Sequence, residues 1–205
     1  KVLQSIGSLT SISDIENIDV ERARTVYLEE FERHLQLKQE SITIDKFPLN
    51  ILELPLIHKI FPTAKFILAL RHPFDCILSC WMQNFKLNPA MANMVDLNLT
   101  VDLYCLAMEI LTLSKNRYGL NVHKIRYESL VNDLETEVSS LLSFLNLNWE
   151  EELRDFQKTA YQRGVINTPS YSQVVKPLYE TATYRWKNYE QHLGQYNDQL
   201  EPWFK

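Results

Sequence analysis

Glycine is scarce in this 205-residue sequence, limited to Gly7, Gly119, Gly164 and Gly194. None of them falls in a GxGxxG pattern or in a GxxxxGK pattern followed by Ser or Thr. A complete loop of backbone amides for cradling nucleotide phosphates is therefore absent, which disfavours a nucleotide-kinase type of phosphotransferase. Cysteine is equally sparse: three residues, an odd number, do not make a disulfide framework. His72, Cys76 and Cys80 recur at four-residue intervals and would align on a helix. Zinc sites normally take four ligands in paired spacings that are missing here, so buried, inert cysteines are the preferred reading and no metal is expected. Uninterrupted apolar runs near the ~18 residues of a membrane span are also lacking, and no span is expected. The start, KVLQSIGSLTSISDIENI, has no basic region ahead of an apolar stretch, so neither a signal peptide nor a location other than cytoplasmic is expected. Positive charge is in deficit, with 21 Lys and Arg against 26 Asp and Glu. That balance excludes broad binding to a nucleic-acid backbone, but not one local cationic pocket for a small anion.

What is present reads as an α/β chain. Val20, Ala23, Tyr27, Phe31 and Leu35 mark an amphipathic helix from about Asp19 to Gln39. SITID (Ser41–Asp45) alternates and is rich in β-branched residues, which predicts a strand. LNILELPLIHKIF reads as a helix interrupted or restarted at Pro55. KFILAL (Lys65–Leu70) is a continuous apolar run, the pattern of a strand buried on both faces, and DCILSCWMQNF resumes as helix. A long helix is predicted from Thr100 to Tyr118 with Gly119 just beyond its end, then a strand at VHKIRY. ESLVNDLETEVSSLLSFLNL and WEEELRDFQKTAY each read as one helix. From Gln162 to Thr183 no period is visible, and so long an irregular segment suggests a lid over a site, with a plain surface excursion as the other reading. Strands alternating with helices imply crossovers and a mostly parallel sheet in three layers.

In such sheets ligands sit beyond the carboxyl ends of the strands. The residues there are Asp45-Lys46, Arg71-His72-Pro73 and Tyr127. An Arg just ahead of a helix suits an anion, because its fork and the helix amides address one place. Asp75, Ser79 and Gln83 then form a polar stripe at four-residue spacing. Pattern alone favours a solvated helix face with Arg71 paired to a carboxylate. His58 and His123 read as packing or surface residues, and no general base stands out.

FPTAKFILALRHPFDCILSCWMQNF resembles the 3′-phosphate-binding segment of PAPS-dependent sulfotransferases (PAPS being 3′-phosphoadenosine 5′-phosphosulfate). That segment has a strand, an Arg at its end, and a Ser eight positions on in the following helix. DKFPLN, SCWMQNF, RYESLVND and SQVVKPLYETATYRWKNYEQHL are similar to the bacterial, tetratricopeptide-linked branch related to tyrosylprotein sulfotransferases, in that branch's order. The likeness runs from about Ile44 to Leu193. It implies that Arg71 and Ser79 hold the donor's 3′-phosphate, with Tyr127 beside the nucleotide and Arg185 as a second cation. Ser170 to Pro177, with Lys176, would close over the nucleotide, and Lys46 in DKFP would be catalytic. His72, crowding the phosphate, would be poorly placed as a base. Two departures accompany the likeness: no PRSGTT-like turn precedes Asp45, and Gln83 stands where the branch has an Arg.

The expectation is a three-layer, mostly parallel α/β fold of the P-loop nucleoside triphosphate hydrolase-like sulfotransferase type, lacking the N-terminal P-loop strand, as a single domain over 1–205. The activity implied is transfer of a sulfuryl group from PAPS, as co-substrate, to a hydroxyl or amine of a peptide, sugar or small molecule. The alternative is a non-catalytic 3′-phosphonucleotide-binding remnant. A sheet short of a central strand exposes apolar edges, so pairing with another chain, a homo-oligomer included, is also expected.

Overall fold

The computed structural model of the chain describes residues 12–33, 42–156, 158 and 182–204. Most of the segment read as a lid, with Ser170 and Lys176, lies outside the described residues. Two compact units divide the chain, one of Lys1–Phe66 and Ala107–Asn121, the other of Ile67–Leu106 and Val122–Lys205.

In the first unit, α1 (Ile12–Glu16) precedes α2 (Val20–Glu32). Asp19 caps α2, its carboxylate accepting the Arg22 N–H at 3.0 Å and satisfying one of the donors that every helix start leaves open. A 3-10 turn at Pro48–Glu53 leads into α3 (Leu54–Ile60), with Pro55 in its first turn, the restart read from the sequence. Ala23 of α2 buries against Leu56 and Ile60 of α3, flanked by Ile15, Ile18 and Phe61. Arg24 of α2 closes α3 by donating Nε and Nη2 to the Ile60 carbonyl at 3.2 and 2.7 Å. His58 lies 5.5 Å from the Tyr118 ring, a packing role as expected.

The strand predicted at SITID is not there: residues 42–47 carry neither helix nor strand, and Ile44 is 69% exposed. Alternation makes a strand only where a neighbour takes the backbone bonds and one face is covered. Among the described residues neither condition is met for this stretch.

The sheet consists of β1 (Phe66–Leu70) and β2 (Val122–Arg126), paired and parallel. Between them run α4 (Pro73–Trp81) and α5 (Leu97–Tyr118). β1 differs from its expected burial on both faces: alternate residues are covered, and Ile67 is 40% exposed. Among the described residues the sheet has two strands.

α5 starts at Leu97, earlier than predicted, because the Asp96 carboxylate accepts the Leu99 N–H at 3.1 Å. It ends where expected, with Gly119 at φ 62°, a left-handed geometry that suits a residue without Cβ. By length and composition α5 could cross a bilayer, which the search for unbroken apolar runs overlooked. Its Leu97, Val101, Tyr104 and Cys105 instead pack into the core of the second unit.

The helix predicted over ESLVNDLETEVSSLLSFLNL is broken into α6 (Tyr127–Asn132) and α7 (Leu134–Leu145). Asp133 causes the break, its side chain accepting the Thr136 N–H at 3.0 Å and starting a new helix instead of continuing the old one. His123 stacks on Phe144 of α7 at 5.2 Å, again packing. Glu151–Asp155, within the last predicted helix, is a 3-10 turn.

Short turns end the chain: Arg185–Tyr189, α8 (Glu190–Leu193), Gly194–Tyr196, α9 (Asn197–Leu200) and Glu201–Trp203. Leu193, Tyr196 and Leu200 from these turns bury against Phe74 and Ile77 of α4 and Val101 of α5. The Tyr196 hydroxyl meets its polar need by donating to Asn98 Oδ1 at 2.7 Å.

Phe74, 1% exposed, sits at the middle of this cluster. Phe74→Ala is expected to cost about 3–5 kcal/mol, seen as a lower urea midpoint. Leu113→Ala, at a position 67% exposed, should stay within about 0.5 kcal/mol of the parent.

Candidate functional site

The polar centre of the second unit is the junction between β1 and α4. Arg71 follows the last residue of β1, and Pro73 occupies the first turn of α4, where its missing N–H costs nothing. The Arg71 guanidinium is held on three sides. Nη2 donates to the Ala182 carbonyl and stands 3.7 Å from Asp75 Oδ1, and the group lies 5.6 Å from the centre of the Tyr127 ring. Tyr127 comes there because β2, parallel to β1, delivers its own carboxyl end to the same side.

Asp75 is 1% exposed and accepts the Trp186 N–H at 2.9 Å through Oδ1. The polar stripe read as solvated is therefore anchored inward at its first member, and Gln83 lies past the end of α4. Ser79, the middle member, is exposed. Arg185 reaches back along α4, with Nη2 3.6 Å from Met82 Sδ. Asp75, Ser79 and Met82 are spaced i, i+4 and i+7, which share one helix face. The structure thus brings Arg71 to Tyr127 at one end of α4 and Arg185 to Met82 at the other.

His72 is enclosed by aromatic rings, 4.9 Å from Trp186 at 18° and 5.2 Å from Phe204 at 29°. Its backbone N–H donates to Glu128 Oε1 at 2.8 Å, and Glu128 is itself buried. This consumes an amide that an anion at the strand end would otherwise meet, and Pro73 supplies none. The backbone offers less here than the sequence suggested, and side-chain cations carry more. Five buried atoms around this junction, Arg71 Nε, His72 Nδ1, Asp75 Oδ2, Glu128 Oε2 and Trp186 Nε1, have no hydrogen-bond partner among the described residues. Buried polar groups are nearly always partnered, so such a concentration marks a place built to meet polar atoms.

Glu128, Trp186 and Phe204 escaped the sequence reading. Glu128 lies inside a segment read only as helix, and the two rings come from far along the chain, with no pattern linking them to His72. Cys76 and Cys80 are partly buried. Both thiols are free; a hydrogen bond between them and burial push the Cys76 thiol above its ordinary pKa, while the same bond and the Arg71 charge lower that of Cys80. Lys46 belongs to the first unit, exposed in the irregular stretch 42–47.

A family profile described as Sulfotransferase family matches residues 9–151. The chain belongs to the sulfotransferase family. It is 28% identical over 163 residues to an uncharacterized protein of Aquifex aeolicus (strain VF5), an alignment covering 79% of this chain and 21% of that protein. The chain thus spans about a fifth of that relative's length. Among solved structures, the sulfotransferase domain from the curacin biosynthetic pathway matches with a TM-score of 0.59 at 19% identity, covering 91% of this chain and 70% of that one. At that identity the likeness speaks for the fold, a mixed α/β arrangement with a parallel sheet.

His72 is held below its ordinary value of 6.5, mainly by burial and further by the nearby Arg126 and Lys187, against the pull of Asp75 and Glu128. A depressed value means that its contribution to stability is complete above pH 6.5 and is lost as pH falls through the lower folded value. Denaturant unfolding at pH 7 and pH 5 should show the parent losing more stability on acidification than His72→Phe, which keeps a ring in the stack.

Proposed function

We propose that the chain transfers a sulfuryl group from PAPS to a hydroxyl or amine acceptor. In this reading Arg71, Ser79, Tyr127 and Arg185 hold the 3′-phosphate side of the donor. Ser170 and Lys176 close over the nucleotide, and Lys46 is the catalytic lysine. The observation that carries the reading is Arg71 itself: a guanidinium at the tip of a parallel strand, with its Nε buried and without a hydrogen-bond partner among the described residues and an aromatic ring against it. A delocalised, permanently charged fork of this kind suits a phosphate better than an ammonium does.

The chemistry then follows from charge. The acceptor oxygen or nitrogen attacks sulfur, a new bond to sulfur forms, and the bond from sulfur to the donor's bridging oxygen breaks. Negative charge grows on that oxygen as 3′,5′-adenosine diphosphate (PAP) leaves. A fixed ammonium at that oxygen, the role assigned to Lys46, stabilises the transition state more than the ground state. Arg71 and its neighbours act by fixing the donor, which converts an encounter into a positioned reaction. The acceptor's proton goes to a base that no residue here identifies. The tyrosylprotein-related branch belongs to the same proposal, supported by the DKFPLN and YRW segments, and so does a three-layer architecture.

PAP should raise the melting temperature, and ATP, which lacks a 3′-phosphate, should raise it far less. Arg71→Ala should weaken PAP binding by about 1.5–3 kcal/mol in calorimetry. An affinity within twofold of the parent would remove Arg71 from the site. Lys46→Ala should keep PAP binding while transfer of labelled sulfate falls by about 100- to 1,000-fold. PAP binding by the parent with no transfer to any acceptor would point to the non-catalytic remnant instead.

A further inference from the structure

The segment that carries Lys46 has no regular structure of its own. Residues 42–47 are exposed throughout, and no ladder of backbone bonds fixes them among the described residues. A catalytic ammonium on such a segment would lose its geometry, because a misplacement of about 1 Å costs up to ~100-fold in rate. Something must hold the backbone on either side of Lys46. On the carboxyl side, Phe47 caps the 3-10 turn at Pro48–Glu53, its carbonyl accepting the Asn50 N–H at 3.0 Å. On the amino side, Asp45 Oδ2 accepts a hydrogen bond of 2.8 Å from the hydroxyl of Tyr27, eighteen positions away on α2.

Tyr27 is well made for that task. Its ring lies 5.9 Å from Phe31, one turn further along α2, and meets Phe61 edge-on at 5.1 Å. Phe61 is fixed in turn by the end of α3 and by the Arg24 guanidinium, 6.0 Å from its ring. The hydroxyl is therefore presented from a half-buried ring braced by Phe31 and Phe61, not from a wandering side chain. We infer that Tyr27 is a positioning residue for Lys46, its hydroxyl clamping Asp45 so that the lysine is held between two fixed neighbours.

Burial and the neighbouring Asp45 carboxylate push the Tyr27 hydroxyl well above its ordinary value of 10.0. This inference rests on the catalytic assignment of Lys46, and its test separates the two.

Tyr27→Phe keeps the ring contacts and deletes only the hydroxyl. Backbone order parameters of 42–47 from magnetic-resonance relaxation, measured on the full chain, should fall in Tyr27→Phe while those of α2 and α3 stay as in the parent. Equal order parameters of 42–47 in both proteins overturn the clamp whatever the activity. In sulfate transfer, Tyr27→Phe should lower kcat by about 10- to 100-fold with PAP affinity within twofold of the parent, a split that a merely structural role would not give. Asp45→Ala should reproduce the loss, and the double variant should be no worse than either single one. Loss of transfer in Lys46→Ala with normal turnover in Tyr27→Phe overturns the proposal. Normal turnover in Lys46→Ala beside lowered order parameters of 42–47 in Tyr27→Phe supports the clamp and overturns the lysine's role.

Discussion

The second unit is organised around one carboxylate. Asp75 is buried on α4, takes the backbone N–H of Trp186 and faces Arg71. A buried carboxylate is tolerated only where donors and positive charge meet it. Here those partners come from the strand end and from a segment more than a hundred residues later. The single group thus ties the chain's last turns to the tip of β1. The aromatic packing of Trp186 and Phe204 around His72 follows from that tie, as does the course of Arg185 along α4.

The same tie explains the form of the candidate anion site. Arg71 is not a loose surface cation waiting for a ligand. It is shared among the Ala182 carbonyl, Asp75 and the Tyr127 ring. A phosphate arriving there competes with neutral and negative groups already drawing on the guanidinium, and its advantage is its full charge. The pattern-based reading of Arg71 as partner of a carboxylate matches its approach to Asp75, and the proposed role as an anion ligand is compatible with it.

How far the sequence could be read depended on whether the cause was local. β1, α5 and the left-handed Gly119 were legible because an apolar run, a helical period and a residue without Cβ act within a few positions. The restart at Pro55 was legible for the same reason. SITID was not, because its alternation states only what a strand would need, while a partner strand has to be supplied from elsewhere. Asp133 was hidden inside a helical period that ran smoothly past it, and only its bond to Thr136 reveals the break. In the candidate site, Arg71, Tyr127 and Ser79 came from strand-end logic and family likeness. Glu128, Trp186 and Phe204 needed the fold, since no spacing connects them to His72.

The start of α4 carries a further consequence. Glu128 has taken the His72 amide and Pro73 brings none, so the charge that meets an incoming anion resides on side chains more than on backbone dipoles. Side-chain charges at a partly open surface are attenuated by dissolved ions within about 10 Å at 0.1 M salt, while hydrogen bonds from a helix start are less so. The attraction of this junction for any anion is thus a function of the ionic medium, weakening as counter-ions crowd in.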